Sequence, residues 1–169
     1  MAFLEKFLNK DTSLALKDVT VNLGFLADAE ERVSEFYRLC AGAMATEEDF
    51  WNSLANEELS HANNVRKMIG LITKEPKLYQ PGISFGTATI RMFTLEMQRL
   101  VEQMKEGQIS PDKLLGIALD IEESAVEMSY GQIVRTKDKT FNTIARQIDK
   151  ESGEHKASIS ARLNARSIQ

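Results

Sequence analysis

The feature that most restricts how this chain can fold is one helical pattern that occurs in both halves. The segment Leu23–Glu31 reads LGFLADAEE, and the segment Leu115–Glu123, 92 residues further on, reads LGIALDIEE. Around both segments the apolar residues recur every three or four positions, which is the period of an amphipathic α-helix. A chain that repeats such a helix is predicted to pack its two halves together in one all-α bundle.

Four long helices and one connecting helix are predicted from this period and from the residues that cap the helices. The long helices are predicted at Lys17–Ala45, Glu47–Ile72, Pro111–Arg135 and Thr140–Leu163, the connecting helix at Thr87–Lys105, and a weaker amphipathic segment at Phe3–Lys10. No strand is predicted, because no segment alternates polar and apolar residues. The expected architecture is a four-helix bundle of two repeated antiparallel helix pairs, with an extra connecting helix, in one domain of residues 1–169.

Composition excludes several other classes of protein. The chain has 169 residues, of which 43% are hydrophobic, so it has enough apolar residues for a core. A net charge of −4 argues against nucleic acid as a partner, and a single cysteine excludes a disulfide scaffold. No apolar run reaches the roughly 18–20 residues of a membrane helix, and no secretory signal is recognised at the start. A location in the cytoplasm is therefore expected, without membrane partners.

Polar residues interrupt the apolar stripes at one level of the predicted bundle. Glu30, Glu58 and Glu122 each lie on the apolar stripe of their helix, and Glu58 and His61 are three residues apart, so they share a face. The other histidine, His155, is the counterpart of His61 in the second half. Because the helices of each pair run antiparallel, these residues are predicted at similar heights. The four long helices are therefore expected to contribute polar groups to one interior layer.

Buried carboxylates of this kind must be protonated, hydrogen-bonded or bound to metal. A Glu from each of two helices, with Glu-x-x-His from the other two, is a set that holds two metal ions in a four-helix bundle. Carboxylate and imidazole ligands suit iron or manganese. The competing interpretation is a solvated acidic face with two structural histidines, since glutamate is seldom buried.

The chain resembles the rubrerythrin-like branch of the ferritin-like di-iron carboxylate superfamily. The segments that carry the resemblance are AEERVSEFY (Ala29–Tyr37), NEELSHA (Asn56–Ala62), DIEESAVEMSY (Asp120–Tyr130) and KESGEHKA (Lys150–Ala157). The resemblance implies a ferritin-like bundle and a centre of two iron ions, with manganese as a possible substitute. The implied metal ligands are Glu30, Glu58, His61, Glu122 and His155, and Tyr37 matches a tyrosine common near the family's site, where a catalytic role is expected for it.

Two departures from the family pattern affect this expectation. Ser152 stands where the fourth helix should offer a glutamate three residues before His155. A local bulge at Gly153 would turn Glu151 toward the centre as a sixth ligand; without it, only three carboxylates remain. The chain also lacks the cysteines of a rubredoxin domain, so any electron donor must be external.

Two functions are therefore expected to compete. The first is a redox or iron-handling protein, with an activity such as peroxide reduction or ferroxidase. The second is a degenerate ferritin-like bundle that binds no metal and acts through protein association, which the residues Ser152 and Gly153 favour. In either case a homodimer is expected, since ferritin-like helix pairs often dimerise.

Overall fold

The computed structural model describes residues 2–82, 87–127 and 130–166, with side chains for 15–82, 87–124 and 130–166. The helices are α1 (Ala2–Ala43), α2 (Glu48–Lys74), α3 (Thr87–Lys105), α4 (Leu114–Glu127), α5 (Tyr130–Ile133) and α6 (Lys139–Arg166). Two short strands, β1 (Tyr79–Pro81) and β2 (Val134–Thr136), pair antiparallel. Single 3-10 turns lie at Ala45–Glu47, Pro76–Leu78 and Pro111–Lys113. The predicted all-α class is confirmed, and α3 has the predicted limits.

Three local predictions are wrong. The segment Phe3–Lys10 is not a separate element but part of α1, since no glycine or proline breaks the helix before Gly24. The predicted helix Pro111–Arg135 is divided: α4 begins after a 3-10 turn, and Val134–Thr136 forms a strand. The prediction of no strand is wrong, since Tyr79–Pro81 pairs with Val134–Thr136. Strands of three residues are too short to show an alternating pattern in the sequence. The end of the motif Asp120–Tyr130, at residues 128–129, lies outside the described residues.

The four long helices form an antiparallel bundle. α1 and α2 are joined by the 3-10 turn Ala45–Glu47 and make the most extensive helix–helix contact, while α6 packs against both α4 and α2. Contacts between α1 and α4 close the ring of four helices, and among them the hydroxyl of Tyr37 donates a hydrogen bond to Glu122. The helices α2 and α4 run in the same direction, so the chain must return between them.

That return is made by α3, which lies along the outside of α1 and runs parallel to it. The hydroxyl of Thr94 donates to the carbonyl oxygen of Phe25 at 3.3 Å, and Lys105 pairs with Glu35 at 2.6 Å. A helix of 19 residues spans about 28 Å, so α3 carries the chain back along α1 over that distance. None of the described helices combines the length and apolar character needed to cross a membrane.

Two apolar clusters fill the bundle, one above and one below a polar layer. Leu26 of α1 belongs to the first cluster with Met68 and Phe141, and Val33, two turns later in α1, belongs to the second with Trp51. The only cysteine, Cys40, is fully buried in the second cluster. Glu30 lies between these two levels of α1, so the polar layer is enclosed by apolar side chains on both sides.

Candidate metal centre

The polar layer is buried, as predicted from the positions of its residues on the apolar stripes. The exposed fractions are 6% for Glu30, 3% for Glu58, 1% for Glu122, 0% for His61 and 2% for His155. Glutamate is rarely buried to this extent without a partner. The interpretation of these residues as a solvated acidic face is therefore wrong.

Four helices bring these side chains together in two groups of three that could hold a metal ion. The first group is Glu30, Glu58 and His61; the second is Glu58, Glu122 and His155. Within each group, one potential ligand atom from each residue lies within 4.8 Å of the others. Glu58 of α2 belongs to both groups and is therefore placed to bridge two ions.

Glu58 lies between the two histidine rings. Its Oε2 lies 3.0 Å from Nδ1 of His61, and its Oε1 lies 2.8 Å from Nδ1 of His155. The rings are stacked with centroids 5.6 Å apart. Both histidines thus present the same nitrogen, Nδ1, to the interior of the layer.

The outer nitrogens of the histidines contact two further carboxylates. Nε2 of His61 lies 2.9 Å from Oε2 of Glu151, and Nε2 of His155 lies 2.8 Å from Oε2 of Glu57. Glu151 belongs to neither group of three, although the sequence suggested it as a ligand. Sequence reasoning did not single out Glu57, but its position 94 residues before Glu151 was a signal that could have found it.

No bulge turns Glu151 inward, because α6 runs as a continuous α-helix through Gly153. Ser152 is buried, and its hydroxyl donates to the carbonyl oxygen of Ile148, one turn earlier in α6, at 3.1 Å. A serine hydroxyl satisfied in this way supplies no negative charge. Among the side chains that the structure describes, the interior of the layer therefore contains three carboxylates.

Two buried tyrosines complete the layer, each donating a hydrogen bond across the halves. Tyr37 of α1 donates to Oε1 of Glu122 at 2.6 Å, and Tyr130 of α5 donates to Oε1 of Glu30. Burial, followed by the charge of the neighbouring carboxylates, raises the pKa of both phenols well above the usual value. Both hydroxyls therefore remain proton donors. Tyr130 was not predicted, although it follows Glu122 at nearly the distance that separates Tyr37 from Glu30.

Burial and hydrogen bonding shift the pKa values of the layer in opposite directions. Burial raises the pKa of Glu30 and of Glu122. Burial would also raise the pKa of Glu58, but its bonds to His155 and His61 outweigh burial and hold that pKa well below the usual value. Burial opposes charge on the histidines, but their carboxylate partners raise both pKa values. The raised pKa values favour protonated imidazoles, whose positive charge offsets the negative charge of the carboxylates.

The donor set fits divalent metal ions that accept oxygen and nitrogen ligands. Each group offers two carboxylates and one imidazole nitrogen, a combination suited to iron or manganese. An ion at each group would take the place of the protons on Nδ1 of His61 and of His155, because a ligating imidazole must be deprotonated at the ligating atom. With ions bound, the hydroxyl of Tyr37 would hold Glu122 in position through its hydrogen bond, and the hydroxyl of Tyr130 would do the same for Glu30.

Comparison of the chain with protein-family models, with curated proteins and with solved structures found no match. The resemblance to rubrerythrin-like proteins accordingly stays a prediction from the motifs, and what supports a function is the geometry of the centre itself.

Proposed function

We propose that this chain is a non-haem di-metal carboxylate protein of the ferritin-like kind, with redox or iron-handling activity such as peroxide reduction or ferroxidase. The observation that carries the proposal is the position of Glu58, which belongs to two adjacent groups of three buried ligand residues. A single buried carboxylate shared by two such groups is what a two-ion centre requires. Iron is the proposed metal, and manganese fits the same donors.

The residues of the centre would divide the work of such an activity. Glu30 and His61 would hold one ion, Glu122 and His155 the other, and Glu58 would bridge them. Bound Fe(II) would supply electrons to peroxide or dioxygen, and the apolar clusters on either side would limit access of water. Tyr37 is the proposed catalytic side chain, because its hydroxyl keeps a proton 2.6 Å from a ligand carboxylate. Since the chain has one cysteine, reducing equivalents would come from an external donor.

The test is metal retention after exposure to Fe(II) or Mn(II) without oxygen, followed by removal of free metal and elemental analysis. The wild-type chain is expected to retain metal, and Glu58→Ala is expected to lose both ions because it removes the bridge. Glu154→Ala is the matched control, since Glu154 is exposed and paired with Lys150 at 3.0 Å, away from the centre. Wild-type protein that retains no metal would refute the proposal.

The competing function is a metal-free bundle that acts through protein association. Ser152 favours it, because the interior then carries three carboxylates instead of four, and two divalent ions would be left with one uncompensated charge. The same loading experiment separates the two functions. Retention of metal by wild type and its loss in Glu58→Ala would exclude the metal-free bundle.

A homodimer is proposed for either function, with the outer face of α3 as the contact. Met92 and Leu95 lie three residues apart on that helix with exposed fractions of 71% and 62%. Exposed apolar side chains that share a helical face favour association. Sedimentation analysis is expected to show a dimer for wild type and a monomer for the double variant Met92→Glu, Leu95→Lys. A wild-type monomer would refute the dimer.

A further inference from the structure

Outside the ligand groups, a chain of hydrogen bonds connects α2 to the histidine of α6. The hydroxyl of Ser53 donates to Oε1 of Glu57 at 3.0 Å, and the other oxygen of Glu57 lies 2.8 Å from Nε2 of His155. The exposed fraction of the Glu57 side chain is 44% and that of His155 is 3%. A carboxylate near the surface, held by its own helix, thus reaches a buried ring on another helix.

The same arrangement connects α6 to the histidine of α2. The amide of Gln147 in α6 donates to Oε1 of Glu151 at 3.0 Å, and Oε2 of Glu151 lies 2.9 Å from Nε2 of His61 in α2. Gln147 and Glu151 each lie 94 residues after their counterparts in α2. In both cases the supporting donor precedes the glutamate by four residues, which places the two side chains on one face of the helix.

The repeat is retained in this outer arrangement even where the interior departs from it. The interior position beside Glu57 is Glu58, whereas the one beside Glu151 is Ser152, so the second half lacks an inner carboxylate. Both outer glutamates are nevertheless present and make equivalent contacts. The contact that the two outer glutamates share is the one with Nε2 of a histidine, which points to the histidines as their targets.

Resting on the proposed function, we infer that Glu57 and Glu151 are positioning residues, each of which fixes the metal-binding histidine of the other half. A carboxylate at Nε2 holds the hydrogen on that nitrogen and leaves Nδ1 as the nitrogen free to ligate. It also fixes the rotation of the ring and increases its basicity as a ligand. Because each glutamate crosses between α2 and α6, the two halves depend on one another for the orientation of their histidines.

Loss of one outer glutamate therefore has a side-specific consequence. Glu57→Ala removes the support of His155 and is expected to weaken the ion held by the group that contains Glu122. Glu151→Ala removes the support of His61 and is expected to weaken the ion held by the group that contains Glu30. Partners of this kind typically contribute about 10- to 100-fold to metal affinity, which is the loss expected for each variant.

The experiment uses Co(II) as the probe and the full-length chain. Affinity is measured by competition with a chelator, and proton NMR of the Co(II) form detects the exchangeable Nε2–H protons of the bound histidines, which the paramagnetic ion shifts far from other signals. Wild type is expected to show two such signals. Each alanine variant is expected to move or lose one of them, a different one in each variant, and to release about one ion per chain more readily.

Conservative variants and a control separate positioning from folding. Glu57→Gln and Glu151→Gln retain an oxygen that accepts from Nε2, so they are expected to recover part of the lost affinity. Glu154→Gln, on the same helix as Glu151 but paired with Lys150, is expected to match wild type. If Glu57→Ala and Glu151→Ala both bind Co(II) with the affinity and the NMR signals of wild type, this inference is overturned and the proposed function is not. Wild-type protein that binds no Co(II) would overturn both this inference and the proposed function.

Discussion

Replacing Ser152 by glutamate is expected to lower the stability of the chain without metal and to raise its affinity for metal. The described side chains place three carboxylates in the interior, so two divalent ions bound with neutral imidazoles would leave one positive charge uncompensated by them. Ser152 is 7% exposed and lies at the position of the missing fourth carboxylate. Ser152→Glu would supply the balancing charge when metal is bound, but it would add a further buried acid when metal is absent.

The size of the metal-free penalty follows from the protonation of the introduced carboxyl group. Buried beside Glu30, Glu58 and Glu122, that group would hold its proton in the folded chain at pH 7. Holding a proton on a group with an ordinary pKa of about 4.3 costs at most about 3.7 kcal/mol at pH 7. For a chain of this size, that corresponds to a fall in melting temperature of about 7–15 °C. Because the folded-state pKa is the raised one, the penalty vanishes as the pH falls below about 4.3.

The assay is thermal unfolding in EDTA and again with Mn(II), comparing Ser152→Glu with Ser152→Gln. The glutamine has the same size without the charge, so the difference between the variants isolates electrostatics from packing. In EDTA the glutamate variant is expected to unfold at the lower temperature. With Mn(II) at a hundredfold excess over its dissociation constant, a metal-binding form gains about 2.7 kcal/mol for each bound ion, and the glutamate variant reaches that gain at lower Mn(II). Equal melting temperatures in EDTA, or no more Mn(II) retained than by wild type, would refute this account of the centre.

Three further outcomes are expected. Glu58→Ala leaves two buried imidazoles without their shared partner, and urea unfolding in EDTA should show a loss of about 3–5 kcal/mol; a loss below 1 kcal/mol would contradict the pairing. Asp138 caps α6 and accepts a hydrogen bond from the hydroxyl of Tyr79 at 2.5 Å, which lowers the pKa of Asp138. Asp138→Ala should therefore cost about 0.5–2 kcal/mol of unfolding free energy near pH 7, and less as the pH falls below about 3.9. A difference that does not depend on pH would contradict the cap. Gly82→Ala should destabilise the chain in thermal unfolding, because its Cβ would lie 2.0 Å from the carbonyl oxygen of Gln132, whereas Gly42→Ala in open space should not.

The helices and the inner residues of the centre could be predicted because the signals that specify them are local. Glu58 and His61 share a face of α2 through their spacing alone, and the repeat placed Glu30 and Glu122 on equivalent stripes. Glu57 and Tyr130 were missed for the opposite reason. Glu57 lies at the edge of its helical face, and the partner of Tyr130 is 100 residues away in the chain. The repeat marks both positions as equivalent to residues already considered, but the contacts themselves form only when the helices pack.

The sequence by itself determined an all-α bundle with five acidic and imidazole side chains at one buried level, since helical period and burial are encoded residue by residue. The tertiary structure decided which nitrogen each histidine turns inward, and it placed Glu151 at an outer nitrogen rather than inside. It also decided that Val134–Thr136 leaves the helix to pair with Tyr79–Pro81. These outcomes depend on distances of a few ångströms between separate elements, and such distances arise only when the helices pack.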